Sequence, residues 1–186
     1  MPLPPPASAA REPVHTRRIA FECYRRADGL WDIEGRMVDA KPFDLELSSG
    51  VVPAGGAIHD MHLRVTVDDA LTIVDAAAAT DAMPYSPACG EIAPDYRDAL
   101  IGLNLGRGFR RAVLERLGGV AGCTHMTEML LQCSTVAVQM LAGFKRDNAD
   151  VGGQRPFQLD RCHALDTRGE TVRKFYPKWY VRSGTG

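Results

Sequence analysis

The sequence predicts an α+β fold: an antiparallel sheet of four to five strands in the N-terminal half, packed against a long helix and shorter helices from the C-terminal half. Three observations carry that expectation. Two stretches before position 68 alternate apolar and polar residues. Pro84 and Pro87 then close the alternating half, and an apolar stripe at helical spacing follows from Met126 to Met140.

The strands come first. Ile19–Arg25 alternates loosely, and Ala27-Asp28-Gly29 signals a hairpin, because Asp-Gly readily supplies positive φ. The return strand, Leu30–Val38, places Trp31, Ile33, Gly35 and Met37 on one face and Asp32, Glu34 and Arg36 on the other. Pro42 to Gly56 reads as a short edge strand and a turn. Ile58–Asp68 puts His59, Met61, Leu63, Val65 and Val67 on one face, with Asp60, His62, Arg64 and Thr66 opposite. Leu71–Ala77 fits a further strand, its alanines leaving a helix open.

The helices follow. Pro94 suits the first turn of a helix running to about Leu103. Phe109–Leu117 is amphipathic and stops at Gly118-Gly119. The longest helix is expected from about Thr124, as N-cap, to Phe144, and Cys162–Leu165 and Phe175–Tyr180 are expected as a final strand or extended arm. Residues 1–14 read as a Pro- and Ala-rich flexible leader, and 15–182 as one domain.

Composition excludes several classes. The 22 basic and 23 acidic residues leave a formal charge of −1 without long runs of either sign, so no nucleic-acid footprint is expected, and Arg17-Arg18, Arg25-Arg26 and Arg110-Arg111 read as surface arginines, with a small phosphate or carboxylate clamp as the alternative. The apolar runs are too short and too polar for a membrane span, and the N-terminus has no apolar signal core, so a cytoplasmic location is expected. The five cysteines lack paired spacing and read as reduced thiols. Gly102 to Gly108 lacks a strand-then-helix setting, so no nucleotide cofactor is expected.

The chemistry gathers at Gly122–Glu128. A thiol at Cys123 meets the positive end of a helix dipole, which favours its anion. Met126, Met129, Leu130, Cys133, Ala137 and Met140 form the apolar stripe, while His125 and Glu128 share an adjoining face and reach one point. His59, an imidazole on an apolar strand face, faces the side that the helix must cover. The candidate catalytic residues are therefore Cys123, His125, Glu128 and His59. The candidate metal ligands are His59, Cys89, Cys123, His125 and Glu128, around a divalent zinc or iron. Asp60 points away unless a bulge intervenes, and Asp32 and Glu34 serve either acid/base work or ion pairs with Arg36 or Arg64.

Asp28-Gly29-Leu30-Trp31-Asp32-Ile33-Glu34-Gly35, then Ile58-His59-Asp60-Met61, then Gly122-Cys123-Thr124-His125-Met126-Thr127-Glu128 resemble successive signatures of a bacterial domain-of-unknown-function family, number 2889. The resemblance covers about Arg17 to Tyr180. That family brings no established activity; the resemblance implies only a setting in the bacterial breakdown of small aromatic or acyl-thioester compounds.

Three functions fit these residues. One is a metal-dependent hydrolase or lyase acting on a small molecule. Another is a metal-free hydrolase with Cys123 as nucleophile, His59 or His125 as base, and Glu128 or Asp60 orienting it. The third is a non-catalytic binding or assembly module, with a homo-oligomer among the expected partners.

Overall fold

The computed structural model describes residues 8–142 and 158–182, together with 5, 144, 153, 155 and 156. The chain divides into two compact units, one ending at Ala137 and one beginning at Val138.

The first unit is built on a four-stranded antiparallel sheet in the order β1 (Thr16–Arg25), β2 (Trp31–Ala40), β5 (Ala57–Val67), β6 (Ile73–Ala82). The Asp28-Gly29 turn joins β1 to β2, with Gly29 at φ +87°. Between β2 and β5 a small hairpin, β3 (Leu45–Leu47) with β4 (Gly50–Val52), forms its own two-stranded sheet in the region read as one short edge strand. The ambiguous alanine-rich segment is a strand.

One sheet face is buried, as the alternation predicts. Trp31, Ile33, Met37, Met61, Leu63, Val65 and Val67 are all 5% exposed or less. The other face carries paired charges. Asp32 accepts from the Thr66 hydroxyl at 2.6 Å, Glu34 meets Arg64 at 3.7 Å, and Arg36 grips Asp60 at 2.6 and 2.8 Å. Asp32 and Glu34 therefore act as ion-pair and hydrogen-bond partners, and Asp60 lies on the face away from His59.

Four helices follow the sheet: α1 (Ala88–Glu91), α2 (Asp95–Leu100), α3 (Phe109–Leu117) and α4 (Thr124–Leu141). On α4 the expected stripe is present, with Met126, Met129, Leu130, Cys133 and Ala137 fully buried. Gly35 allows the close approach of this layer to the sheet: a Cβ there would stand 2.8 Å from Phe21 Cε1 and 3.2 Å from Met129 Sδ.

In the second unit the segments expected as extended are helical turns: 3₁₀ turns at His163–Leu165 and Pro177–Trp179, and α5 (Glu170–Phe175) between them. Local polar groups explain the difference. The Asp160 carboxylate accepts from the Thr167 N–H at 2.8 Å, that of Asp166 accepts from the Arg168 N–H at 2.9 Å, and Pro177 opens the last turn.

Candidate metal centre

Three inner-face positions lie side by side across the sheet. Asp39 on β2 is in register with Arg17 on β1 and with His59 on β5. Each continues the apolar phase of its strand: Arg17 ahead of Ile19 and Phe21, Asp39 after Ile33 and Met37, His59 ahead of Met61 and Leu63. The end of the buried face is thus a polar row.

Asp39 is its centre and is 2% exposed. Arg17 donates to both carboxylate oxygens, Nε to Oδ1 and Nη2 to Oδ2, each at 2.8 Å. His15 Nε2 lies 3.0 Å from Oδ1, and His59 Nδ1 lies 3.1 Å from Oδ2. From above, α4 brings in His125, whose Nε2 is 3.9 Å from Asp39 Oδ2. The His125 ring packs on that of His59 with centroids 4.0 Å apart.

The start of α4 is held by a buried tyrosine. Tyr96 on α2, 1% exposed, donates its hydroxyl to the Cys123 carbonyl at 3.0 Å and accepts from the Cys123 N–H at 2.9 Å. The Cys123 carbonyl also accepts from the Thr127 N–H at 2.9 Å. Cys123 is therefore the N-cap, and Thr124, expected there, is the first helical residue. Glycine is required just before it, because a Cβ on Gly122 would stand 2.4 Å from the Leu117 carbonyl oxygen.

The electrostatics leave the groups in ligating forms. Burial alone would raise the Asp39 pKa, but the Arg17 hydrogen bonds and charge outweigh it, helped by His15 and His59, and the carboxyl falls to about 2. Burial lowers the pKa of His59 against the opposing pull of Asp39. Burial also lowers that of His125, with the charges of His59 and Arg17 acting in the same direction. One carboxylate and two imidazoles, both with lowered pKa, thus converge, and Asp39, His59 and His125 offer one ligand atom each within 4.8 Å of one another.

The remaining candidates take different places. Cys123 Sγ lies 3.9 Å from His125 Nδ1, the ring nitrogen turned away from Asp39, and 3.9 Å from Met61 Sδ. Cys89 lines a groove of about 520 Å³ with Cys123, Tyr85, Glu91 and Ile92, apart from the converging ligand atoms. Glu128 is exposed and acts on the row through its charge on Arg17. All five cysteines are free, and burial pushes the Cys133 thiol up to about 12. Asp39 and His15 escape the sequence reading altogether, and Arg17 enters it only as a surface arginine or an unassigned phosphate or carboxylate clamp. The signal was available for two of them, because the two-residue period that singles out His59 also carries Asp39 and Arg17 onto the apolar face.

Fold and site together define an α+β protein with a carboxylate-histidine-arginine row at one end of its sheet, closed by the first turn of a helix. The family described as Protein of unknown function (DUF2889) matches residues 15–139, and the chain belongs to that family. The match begins at His15 and takes in Arg17, Asp39, His59 and His125. No curated protein and no solved structure matches the chain. No helix among the described residues is long and apolar enough to cross a membrane.

Proposed function

We propose that this protein binds a divalent transition metal through Asp39, His59 and His125 and uses it in hydrolytic or lyase chemistry on a small molecule. The observation that carries the reading is the convergence of two imidazoles and one carboxylate on one point. Ligands about 2.0–2.1 Å from a tetrahedral zinc stand roughly 3.3 Å from one another. The Asp39 Oδ2 separations of 3.1 and 3.9 Å from the two histidines are close to that spacing, and a metal there would take the place of the proton shared by His59 Nδ1 and Asp39 Oδ2. Two nitrogens and one oxygen suit zinc or ferrous iron better than magnesium or calcium.

Three protein ligands leave a position for water or substrate, and the metal would supply an activated water or a polarised carbonyl there. Arg17 donates to both oxygens of the ligating carboxylate, the ligating Oδ2 included, and His15 lies against the other, the outer support that such ligands commonly receive. Metal analysis of protein purified without a histidine tag tests the proposal. We expect about one zinc or iron per chain, lost in His125→Ala and kept in Cys123→Ala. Absence of metal after titration with both ions contradicts it.

A second reading has its own observation: Cys123, His125 and Asp39 follow one another, with Sγ 3.9 Å from Nδ1 and Nε2 3.9 Å from the carboxylate. That order suits a thiol nucleophile, its base and the group that orients the base, acting on an ester or thioester. It differs from the expected arrangement in using Asp39 where Glu128 or Asp60 was anticipated. Iodoacetamide distinguishes the two. Fastest labelling at Cys123, with loss of activity and no dependence on metal, favours the thiol.

A further inference from the structure

The two edges of the sheet are finished differently. β6 pairs with β5 through two register shifts, and its first residue is bonded by the chain after α2: Gly102 N–H donates to the Ile73 carbonyl at 2.9 Å, and Ile73 N–H to the Leu103 carbonyl at 2.8 Å. β1 has no such cover. Among the described residues no backbone hydrogen bond reaches Thr16–Arg25 from the side away from β2. The strand is ten residues long, contains no proline and pairs with β2 without a bulge, so its charges, with Arg17 pointing inward among them, are what it has of the usual devices that blunt a sheet edge. Ile19 and Phe21, on its inner face, are only half-buried.

We propose that β1 pairs antiparallel with β1 of a second copy of this chain, about a two-fold axis beside Ala20, giving a continuous eight-stranded sheet. In antiparallel pairing a residue with outward-facing backbone groups must oppose another of the same kind, so in a two-fold pair one residue faces its own copy. Charge then selects that residue. An axis beside Arg18 or Glu22 sets like charges face to face, and one beside Phe21 sets Arg17 against Arg25 of the partner subunit. An axis beside Ile19 leaves Arg18 facing alanine.

Beside Ala20 the two strands complement each other over Thr16–Tyr24. On the outer face Arg18 opposes Glu22 of the partner subunit, twice by symmetry. On the inner face Ile19 opposes Phe21 of the partner subunit, completing the two half-buried positions. Arg18 gains a partner, since it makes no ion pair or side-chain hydrogen bond among the described residues; Glu22, which accepts from the Tyr24 hydroxyl at 2.6 Å, lies opposite Glu34, a like charge, and gains an opposite one.

Sedimentation velocity on the full chain tests this dimer. We expect a dimer whose dissociation constant rises about tenfold in R18E and in E22R, each of which sets like charges opposite one another twice. The combined R18E/E22R chain restores the opposite-charge match and the dimer. Ala20→Cys, in a Cys23→Ser background, forms an intermolecular disulfide on mild air oxidation. A monomeric wild type, or a dimer indifferent to either charge swap, overturns the proposal. Failure of the double swap to restore dimerisation overturns the register.

Discussion

Asp39 and His59 lie directly opposite one another on β2 and β5, joined through Oδ2 and Nδ1 at 3.1 Å, at the polar end of a sheet face that is apolar beyond them. Burying a carboxylate beside an imidazole is unfavourable unless both are satisfied. Arg17 and His15 satisfy the carboxylate from one side, and the His125 ring covers His59 from above. The neighbouring row is Ile19, Met37 and Met61, so the polar row stands at the boundary of the core.

The pairing makes acid stability depend on Arg17. The folded Asp39 pKa of about 2 lies below the ordinary carboxylate value, so the unfolded chain binds the proton first as pH falls. The stabilisation is complete above about pH 4 and is lost as pH drops toward 2. In Arg17→Gln we expect that contribution to shrink by on the order of 1–2 kcal/mol, after allowing for solvent screening at the partly exposed guanidinium. Urea melts of both proteins between pH 5 and pH 2.5 check it, and parallel curves contradict it.

A separate loss is expected at higher pH. The folded pKa values of His59 and His125 lie below the ordinary 6.5, so the unfolded chain gains protons first as pH falls through that value. Stability declines below about pH 6.5, and metal retention declines with it, because protonated imidazole cannot ligate. Metal release from the wild type followed with a chromophoric chelator should rise below about pH 6.5, and urea melts of the metal-free protein should show a smaller loss of stability over the same range in His59→Gln.

Tyr96→Phe removes a hydroxyl that both donates to and accepts from the Cys123 backbone. We expect a loss of about 1–3 kcal/mol, since two backbone groups at the helix start lose a partner. Gly122→Ala, with its Cβ 2.4 Å from a carbonyl oxygen, must shift the same turn. Metal affinity should fall in both, although neither residue touches the ligands. Unchanged affinity in folded protein would separate the helix entrance from the centre.

The sheet was largely legible because a two-residue period and an Asp-Gly turn are local signals. His59, Met61 and Leu63 declared their common face, and Met126, Met129, Leu130 and Cys133 declared that of the helix. The partners of His59 were harder to read. Asp39 is 20 residues away and meets His59 only through strand register, which no local pattern states, and His15 reaches the same carboxylate from just before β1. Cys123 and His125 do lie together, with the thiol at one ring nitrogen, but local spacing does not reveal Asp39 at the other. The turns of the second unit escaped because Asp160 and Asp166 bind nearby backbone N–H groups, which apolar periodicity does not report.

Gly35→Val tests the packing that brings α4 down onto the sheet. A Cβ at this position would already crowd Phe21 and Met129, so we expect destabilisation of about 1–3 kcal/mol and weaker metal binding as His125 lifts from His59. Chemical denaturation paired with metal titration checks both effects. Wild-type stability would show that the layer has slack.

Extended X-ray absorption fine structure at the metal edge of the loaded protein bears most directly on the centre. We expect light-atom scatterers at about 2.0–2.1 Å, with the outer-sphere pattern of two imidazoles and a carboxylate and no sulfur shell. A sulfur scatterer at about 2.3 Å would place Cys123 or Cys89 on the metal and contradict the assignment of Asp39, His59 and His125.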